Sequence, residues 1–206
     1  MQLRSLMTTL LAVLSVGLTM PLTAAESAHE WASPVNPSFN LYRMAPGLYR
    51  SAKPGVSNVD ELQTLGVTTV ISLIKADDSP LVSERFPARL ESFPLHADRV
   101  DESDVLDVLR AIEAAPGPVL IHCKHGRDRT GLMAAMYRTV IQGWSKEEAI
   151  KEMTAGGFGE ADDMVDAIAY VRGADIVAIR AALASGACSP SPFDSCHVSR
   201  WLASLL

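Results

Sequence analysis

Cys123 and Arg129 stand six residues apart in the segment His122-Cys123-Lys124-His125-Gly126-Arg127-Asp128-Arg129-Thr130-Gly131, which combines a thiol with three cations, a hydroxyl and two glycines. A thiol is a nucleophile only as its thiolate, and a helix N-terminus with adjacent guanidinium groups lowers its pKa from about 8.5 to roughly 4 to 7. Arg129 offers a planar fork that can hold two oxygens of one phosphoryl group. Lys124 and Arg127 add positive charge, and Gly126 permits the tight backbone wrap that presents successive N–H groups to an anion. His125 and Asp128 complete the lining and shape the loop. The chemistry this set can perform is attack of Cys123 on a phosphomonoester, giving a phosphocysteine that water then hydrolyses. Thr130 is placed to donate its hydroxyl to the sulfur and ease its departure. A lone cysteine is ordinarily an inert buried hydrophobe, but the accompanying His122, Gly126, Thr130 and Gly131 favour the reactive reading.

Ester cleavage also needs a proton for the leaving oxygen, normally from a carboxylic acid on a neighbouring loop. Asp98, Asp101, Glu102 and Asp104 are within reach of the sequence. Asp101 and Asp104 have a competing duty in capping a helix, and Glu102 falls in its first turn. Asp98 has no such duty and is the preferred acid, with Asp101 as the alternative. The chemistry requires neither metal nor cofactor, and no group of His, Cys and carboxylates has metal-ligand spacing.

The elements around the loop follow from hydrophobic period. Val119 to Ile121 is a short continuous apolar run, as in a buried strand, and Leu132, Met133, Met136 and Val140 share one face of a helix expected over 131–142. Strand, loop and helix in that order form an anion-binding turn. Upstream, Phe39 to Arg43 and Leu48 to Ser51 flank Pro46-Gly47 and read as a hairpin. Val59 to Leu65 suggests a short helix, Val67 to Ile74 a strand and Phe93 to Leu95 another. Val105, Leu109 and Ile112 mark an amphipathic helix capped by Asp101, and Ser145 with Glu148 forms a capping box for a later one. Helical periodicity also runs from Asp162 to about Ala184. Alternating strands and helices imply an α/β domain, a mostly parallel central sheet of about four to five strands with helices on both faces.

The chain has 206 residues, 48% of them hydrophobic, enough for one substantial core. Arg4, the apolar run Leu6 to Met20 and Thr23-Ala24-Ala25 have the layout of a secretory signal peptide cleaved after Ala25. The expected organisation is therefore a leader over 1–25, a proline-containing linker over 26–38 and one catalytic domain over 39–206, working in the periplasm. The formal net charge is −6, and loss of Arg4 with the leader makes the mature chain more acidic still. Such a balance argues against nucleic acid or an anionic membrane as partner, and stable membrane insertion is not expected once the leader is gone. In an oxidising compartment three cysteines permit one bridge and one free thiol. Catalysis needs Cys123 free, so Cys188 and Cys196 are expected to pair.

The loop His122-Cys123-x5-Arg129-Thr130-Gly131, the leader and the segment Leu48-Tyr49-Arg50-Ser51-Ala52-Lys53-Pro54 together resemble the small bacterial periplasmic dual-specificity-like tyrosine phosphatases of the biofilm-regulating type. The resemblance covers about residues 39 to 184. It implies the cysteine-phosphatase fold, a phosphoprotein substrate carrying phosphotyrosine with phosphoserine or phosphothreonine as secondary targets, and a hydrogen bond from His122 to the loop backbone. A periplasmic protein, or the periplasmic part of a membrane protein, is the expected partner, and the enzyme is expected to be a monomer. The basic loop is also similar to that of phosphoinositide or inositol polyphosphate phosphatases, and an inactive phosphate-binding module is the reading from another class.

Overall fold

The computed structural model describes residues 29–96, 98–191 and 196, with Asp163 by its backbone alone. The leader, the first residues of the expected linker and the apolar segment Val198 to Leu206 lie outside the described residues. Among the described residues six strands form one mixed sheet: β1 (Ser33–Asn36), β2 (Leu41–Ala45), β3 (Leu48–Ala52), β4 (Thr69–Ser72), β5 (Arg89–Ser92) and β6 (Val119–Cys123), in the spatial order β1-β2-β3-β6-β4-β5. β1, β2 and β3 are antiparallel neighbours, whereas β3, β6, β4 and β5 run parallel. Around them pack six helices among the described residues: α1 (Val59–Thr64), α2 (Glu102–Ala114), α3 (Asp128–Val140), α4 (Lys146–Ala155), α5 (Val165–Gly173) and α6 (Ile176–Ser185). The fold is the expected α/β layout, with more strands than the sequence revealed.

Because side chains alternate across a strand, β6 feeds both faces of the sheet. Val119, Ile121 and Cys123 enter the larger core with residues of α2 to α6, while Leu120 joins Tyr49, Val70 and Leu62 of α1 on the other side. All five residues of β6 are buried, which explains why its apolar residues read as an unbroken run. His122 and Cys123 consequently face opposite sides of the sheet end, and β6 delivers them together to the loop.

Several boundaries differ from expectation for identifiable reasons. Ser33–Asn36, expected within the linker, is an edge strand: only one side of it pairs, so Pro34 is tolerated there. The strand expected at Phe93 to Leu95 lies instead at Arg89–Ser92, an edge partner of β4 whose polar residues hide its pattern. α3 begins at Asp128, three residues before its expected start, and so includes Arg129 and Thr130 in its first turn. The periodicity over 162–184 belongs to two helices, split at Ala174 and restarted by the Asp175 side chain, which accepts from the Ala178 N–H at 3.0 Å. The hairpin, α1, α2 and the Ser145–Glu148 capping box are where the sequence placed them.

Candidate active site

The loop between β6 and α3 is held from outside by its carbonyl oxygens. Lys124 O accepts from the Lys53 N–H (3.3 Å), His125 O from the Asn40 carboxamide (3.0 Å), Gly126 O from the Arg50 guanidinium (2.8 Å) and Arg127 O from the Gly131 N–H (2.6 Å). In a planar trans peptide the N–H points opposite to its C=O. Fixing the Lys124, His125 and Gly126 carbonyls outward therefore turns the N–H groups of His125, Gly126 and Arg127 inward. α3 supplies the rest, since the first N–H groups of a helix lack intrahelical acceptors and carry its positive dipole end. The result is a cradle for a tetrahedral oxyanion.

Gly126 is indispensable to this path. Its φ is +73°, and a Cβ there would lie 2.6 Å from both Ala52 N and Ser51 C. The loop is thus seated directly on the end of β3. Asn40, itself at φ +57°, also donates to Phe158 O at 2.9 Å, and the Tyr42 hydroxyl donates to Gly157 O at 3.0 Å. These bonds clasp the catalytic loop to the glycine-rich stretch after α4.

Arg50 is the buried cation beneath the loop, 1% exposed, with its guanidinium 3.6 Å from the Phe158 ring centroid. Burial pushes its pKa down to about 10, partly offset by the carboxylate of Glu152 and by Cys123. It therefore stays charged at neutral pH. Glu152 is itself held by Arg138 at 2.6 and 2.8 Å and by the Ala32 N–H at 2.6 Å, so a buried polar chain joins the residue before β1 to α3 and α4 behind the site.

Cys123 is a buried free thiol, and it lines a cavity of about 470 Å³ together with His125, Arg127, Asp128 and Arg129. That volume is in the range of small-molecule sites. Arg129 Nε and Thr130 Oγ1 are buried without a hydrogen-bond partner among the described residues. The Lys124 side chain is exposed and is not among the residues lining the cavity, and its carbonyl accepts from the Lys53 N–H. The His122 ring hydrogen-bonds Asp78 at 3.0 Å, where the resemblance implied the loop backbone. Asp98 is exposed and borders a separate depression lined by Arg99, Leu132, Asp166 and Tyr170. The structure does not bring it into the Cys123 cavity. Asp101 caps α2, its N–H donating to the Asp104 carboxylate at 3.0 Å. Cys188 and Cys196 form the expected disulfide.

Sequence reasoning missed Asn40 and Arg50, which hold the loop carbonyls, and Asp78, which holds the His122 ring at the end of β6. Arg50 lies within the segment Leu48 to Pro54, and a cation inside a buried strand is the available signal. Asn40 and Asp78 carry no local signature, because their partners lie 85 and 44 residues away.

A parallel β6 ending in a buried thiol, a loop with its carbonyls turned out and an arginine in the first turn of the following helix define a cysteine-dependent phosphatase. A profile of the tyrosine phosphatase family matches residues 35–167, and the chain belongs to that family. It is 57% identical over 192 residues to the dual specificity protein phosphatase TpbA of Pseudomonas aeruginosa (strain UCBPP-PA14), covering 90% of this chain and 88% of that protein. A crystal structure of a cysteine-to-serine form of P. aeruginosa TpbA in complex with phosphotyrosine superposes with a TM-score of 0.74. The identity is 56%, covering 78% of this chain and 99% of the other. An inositol diphosphatase of Arabidopsis thaliana is 28% identical over 160 residues, covering 72% and 76%. The chain is accordingly a cysteine-dependent protein tyrosine phosphatase of the dual-specificity kind.

Proposed function

We propose that this enzyme hydrolyses phosphotyrosine in proteins, with phosphoserine and phosphothreonine as secondary substrates, and that it does so in the periplasm after removal of the leader over 1–25. The observation that carries the reading is the buried free Cys123 at the base of an outward-anchored loop, in a chain more than half identical to one solved with phosphotyrosine. The thiolate of Cys123 attacks phosphorus as the P–O bond to the tyrosyl oxygen breaks. Arg129 and the loop N–H groups bind the three transferring oxygens, where charge on the phosphoryl group is greatest. Water then attacks the phosphocysteine, and the Thr130 hydroxyl assists the departing sulfur. Arg127 and His125 border the entrance and attract the anion.

Asp98 is proposed as the donor to the leaving oxygen. Its carboxyl opens onto the Leu132 and Tyr170 depression, so the role requires the segment between β5 and α2 to carry it toward Cys123 when substrate binds. Catalytic contacts are often long before the Michaelis complex forms. Asp101 is the alternative donor and would have to leave its capping position.

Phosphate release by the mature protein from phosphotyrosine peptides, phosphoserine peptides and soluble inositol polyphosphates tests the substrate class. Preference for phosphotyrosine peptides supports the proposal. Preference for inositol polyphosphates would move the assignment to the activity named for the more distant plant relatives.

A further inference from the structure

His122 is fully buried, yet among the described residues only one of its ring nitrogens has a partner. Nε2 lies 3.0 Å from Oδ2 of Asp78, and Nδ1 has no partner among the described residues. Asp78 follows β4 at the entry to a helical turn, Ser79–Leu81, and its side chain is 5% exposed. The carboxyl is held below its ordinary range, first by the hydrogen bond from His122 and then by Lys53 and Ser72 against the opposing cost of burial. Its other oxygen faces Lys53 Nζ at 3.6 Å, and the same ammonium donates to Asp77 O at 3.2 Å.

Two consequences follow from elementary chemistry. An ionised carboxylate can only accept hydrogen bonds, so the proton between the two groups resides on Nε2. In the neutral ring Nδ1 then carries the lone pair, and the tautomer is set by Asp78. The backbone of His122 is fixed as well, by pairing with Ser72 in β4 and Ser51 in β3 and by the Leu73 N–H, which donates to its carbonyl at 2.8 Å. Main chain and ring of the residue immediately before the nucleophile are therefore both immobilised, the ring by one carboxylate.

We propose that Asp78 is a positioning residue for the phosphatase reaction, acting through His122 to fix the tautomer and orientation of that ring and so the placement of Cys123 at the floor of the cradle. The proposal rests on Cys123 being the nucleophile. Lys53, 40% exposed at its side chain, anchors the carboxylate from the solvent side and ties the Asp78 loop to the segment after β3, next to the strand end that pairs Ala52 with Cys123. The three groups tie β3, β4 and β6 together at the point where the loop begins. Misplacement of a nucleophile by about 1 Å can cost on the order of 10²-fold in rate. Substrate affinity, which the cradle N–H groups supply, should be affected far less.

Three variants of the full mature chain, Asp78→Asn, Asp78→Ala and Asp78→Glu, test this with kinetics and with ¹⁵N-histidine NMR. In the wild type His122 should show a protonated Nε2 and an unprotonated Nδ1, with the Nε2 proton protected from exchange. Asp78→Ala should lose that protected proton and reduce kcat by about 10- to 100-fold, with KM changed less than about threefold. Asp78→Asn keeps the shape and can still accept through its carbonyl, so it should lie between Ala and wild type, and Glu should restore part of the rate. Folded Asn and Ala variants with kcat within about twofold of wild type would overturn the proposal, as would an Nδ1–H tautomer in the wild type. Should Asp78→Ala not fold, the Asn variant and the wild-type tautomer decide. Cys123→Ser, measured in parallel, separates failure of this proposal from failure of the nucleophile assignment: activity surviving in the serine variant removes the premise.

Discussion

Replacing Gly126 by alanine probes the cradle with the smallest possible change. The added Cβ would stand 2.6 Å from Ala52 N, 2.6 Å from Ser51 C and 2.7 Å from Ser51 O, all backbone atoms of β3 or its end. Non-bonded carbon contacts are comfortable only near about 3.5 Å, so the loop must move away from β3 by several tenths of an ångström. No side-chain rotation can relieve it. Alanine also pays about 1 to 2 kcal/mol to hold the left-handed φ of +73° that glycine adopts freely. With overpacking of about 1 to 3 kcal/mol added, a fall in Tm of roughly 4 to 20 °C is expected at about 2 to 4 °C per kcal/mol. The displaced peptide carries the inward N–H groups, and loss of one oxyanion donor costs about 10²- to 10³-fold in kcat. Gly126→Ala should therefore retain its circular dichroism at 20 °C while losing about 100-fold or more in kcat toward an activated aryl phosphate. Gly143→Ala is the control: φ there is +76° but no described residue lies within 4 Å of the new Cβ, so it should lose only about 1 kcal/mol and no activity. A folded Gly126→Ala enzyme with kcat within about threefold of wild type would refute the claim that this backbone path makes the cradle.

Arg50→Met leaves the Gly126 carbonyl buried and unpaired at a cost of about 1 to 3 kcal/mol; kcat should fall with it, and Arg50→Lys, which keeps the charge without the planar fork, should recover only part. Arg129→Ala should lower kcat on aryl phosphate by several orders of magnitude, since it removes oriented charge from the transferring group. Asp98→Asn should lose about 10²- to 10⁴-fold on poor leaving groups and much less on activated ones; the same pattern in Asp101→Asn with none in Asp98→Asn would transfer the role of acid. Because the folded pKa of Asp78 lies below the usual 3.8, its stabilisation is present above that value and is lost as pH falls through the depressed one. Urea unfolding from pH 6 downward should therefore show a shallower acid limit in Asp78→Asn than in wild type.

The chemistry was legible in the sequence because it is local. Cys123, Gly126, Arg129 and Thr130 lie within eight consecutive residues, and the apolar run of β6 announces the strand that carries them. The supporting structure was not legible, because it is assembled across the chain. Asn40 reaches the loop from a turn before β2, Arg50 from β3, and Asp78 reaches His122 of β6 from the turn after β4, and no spacing rule links them to Cys123. Edge strands were missed for a related reason: β1 and β5 bury too little to show a pattern of period two. The disulfide was accessible by counting cysteines, whereas the position of Asp98 relative to the cavity depends on a loop that sequence periodicity does not describe.

The most direct test is covalent trapping. Mature enzyme mixed rapidly with a ³²P-labelled phosphotyrosine peptide, quenched with denaturant and digested for mass spectrometry, should yield a thiophosphate-bonded label on the peptide containing Cys123, absent from Cys123→Ser and prolonged in Thr130→Ala. Turnover of the same substrate with label on another residue, or full activity in Cys123→Ser, would contradict the account.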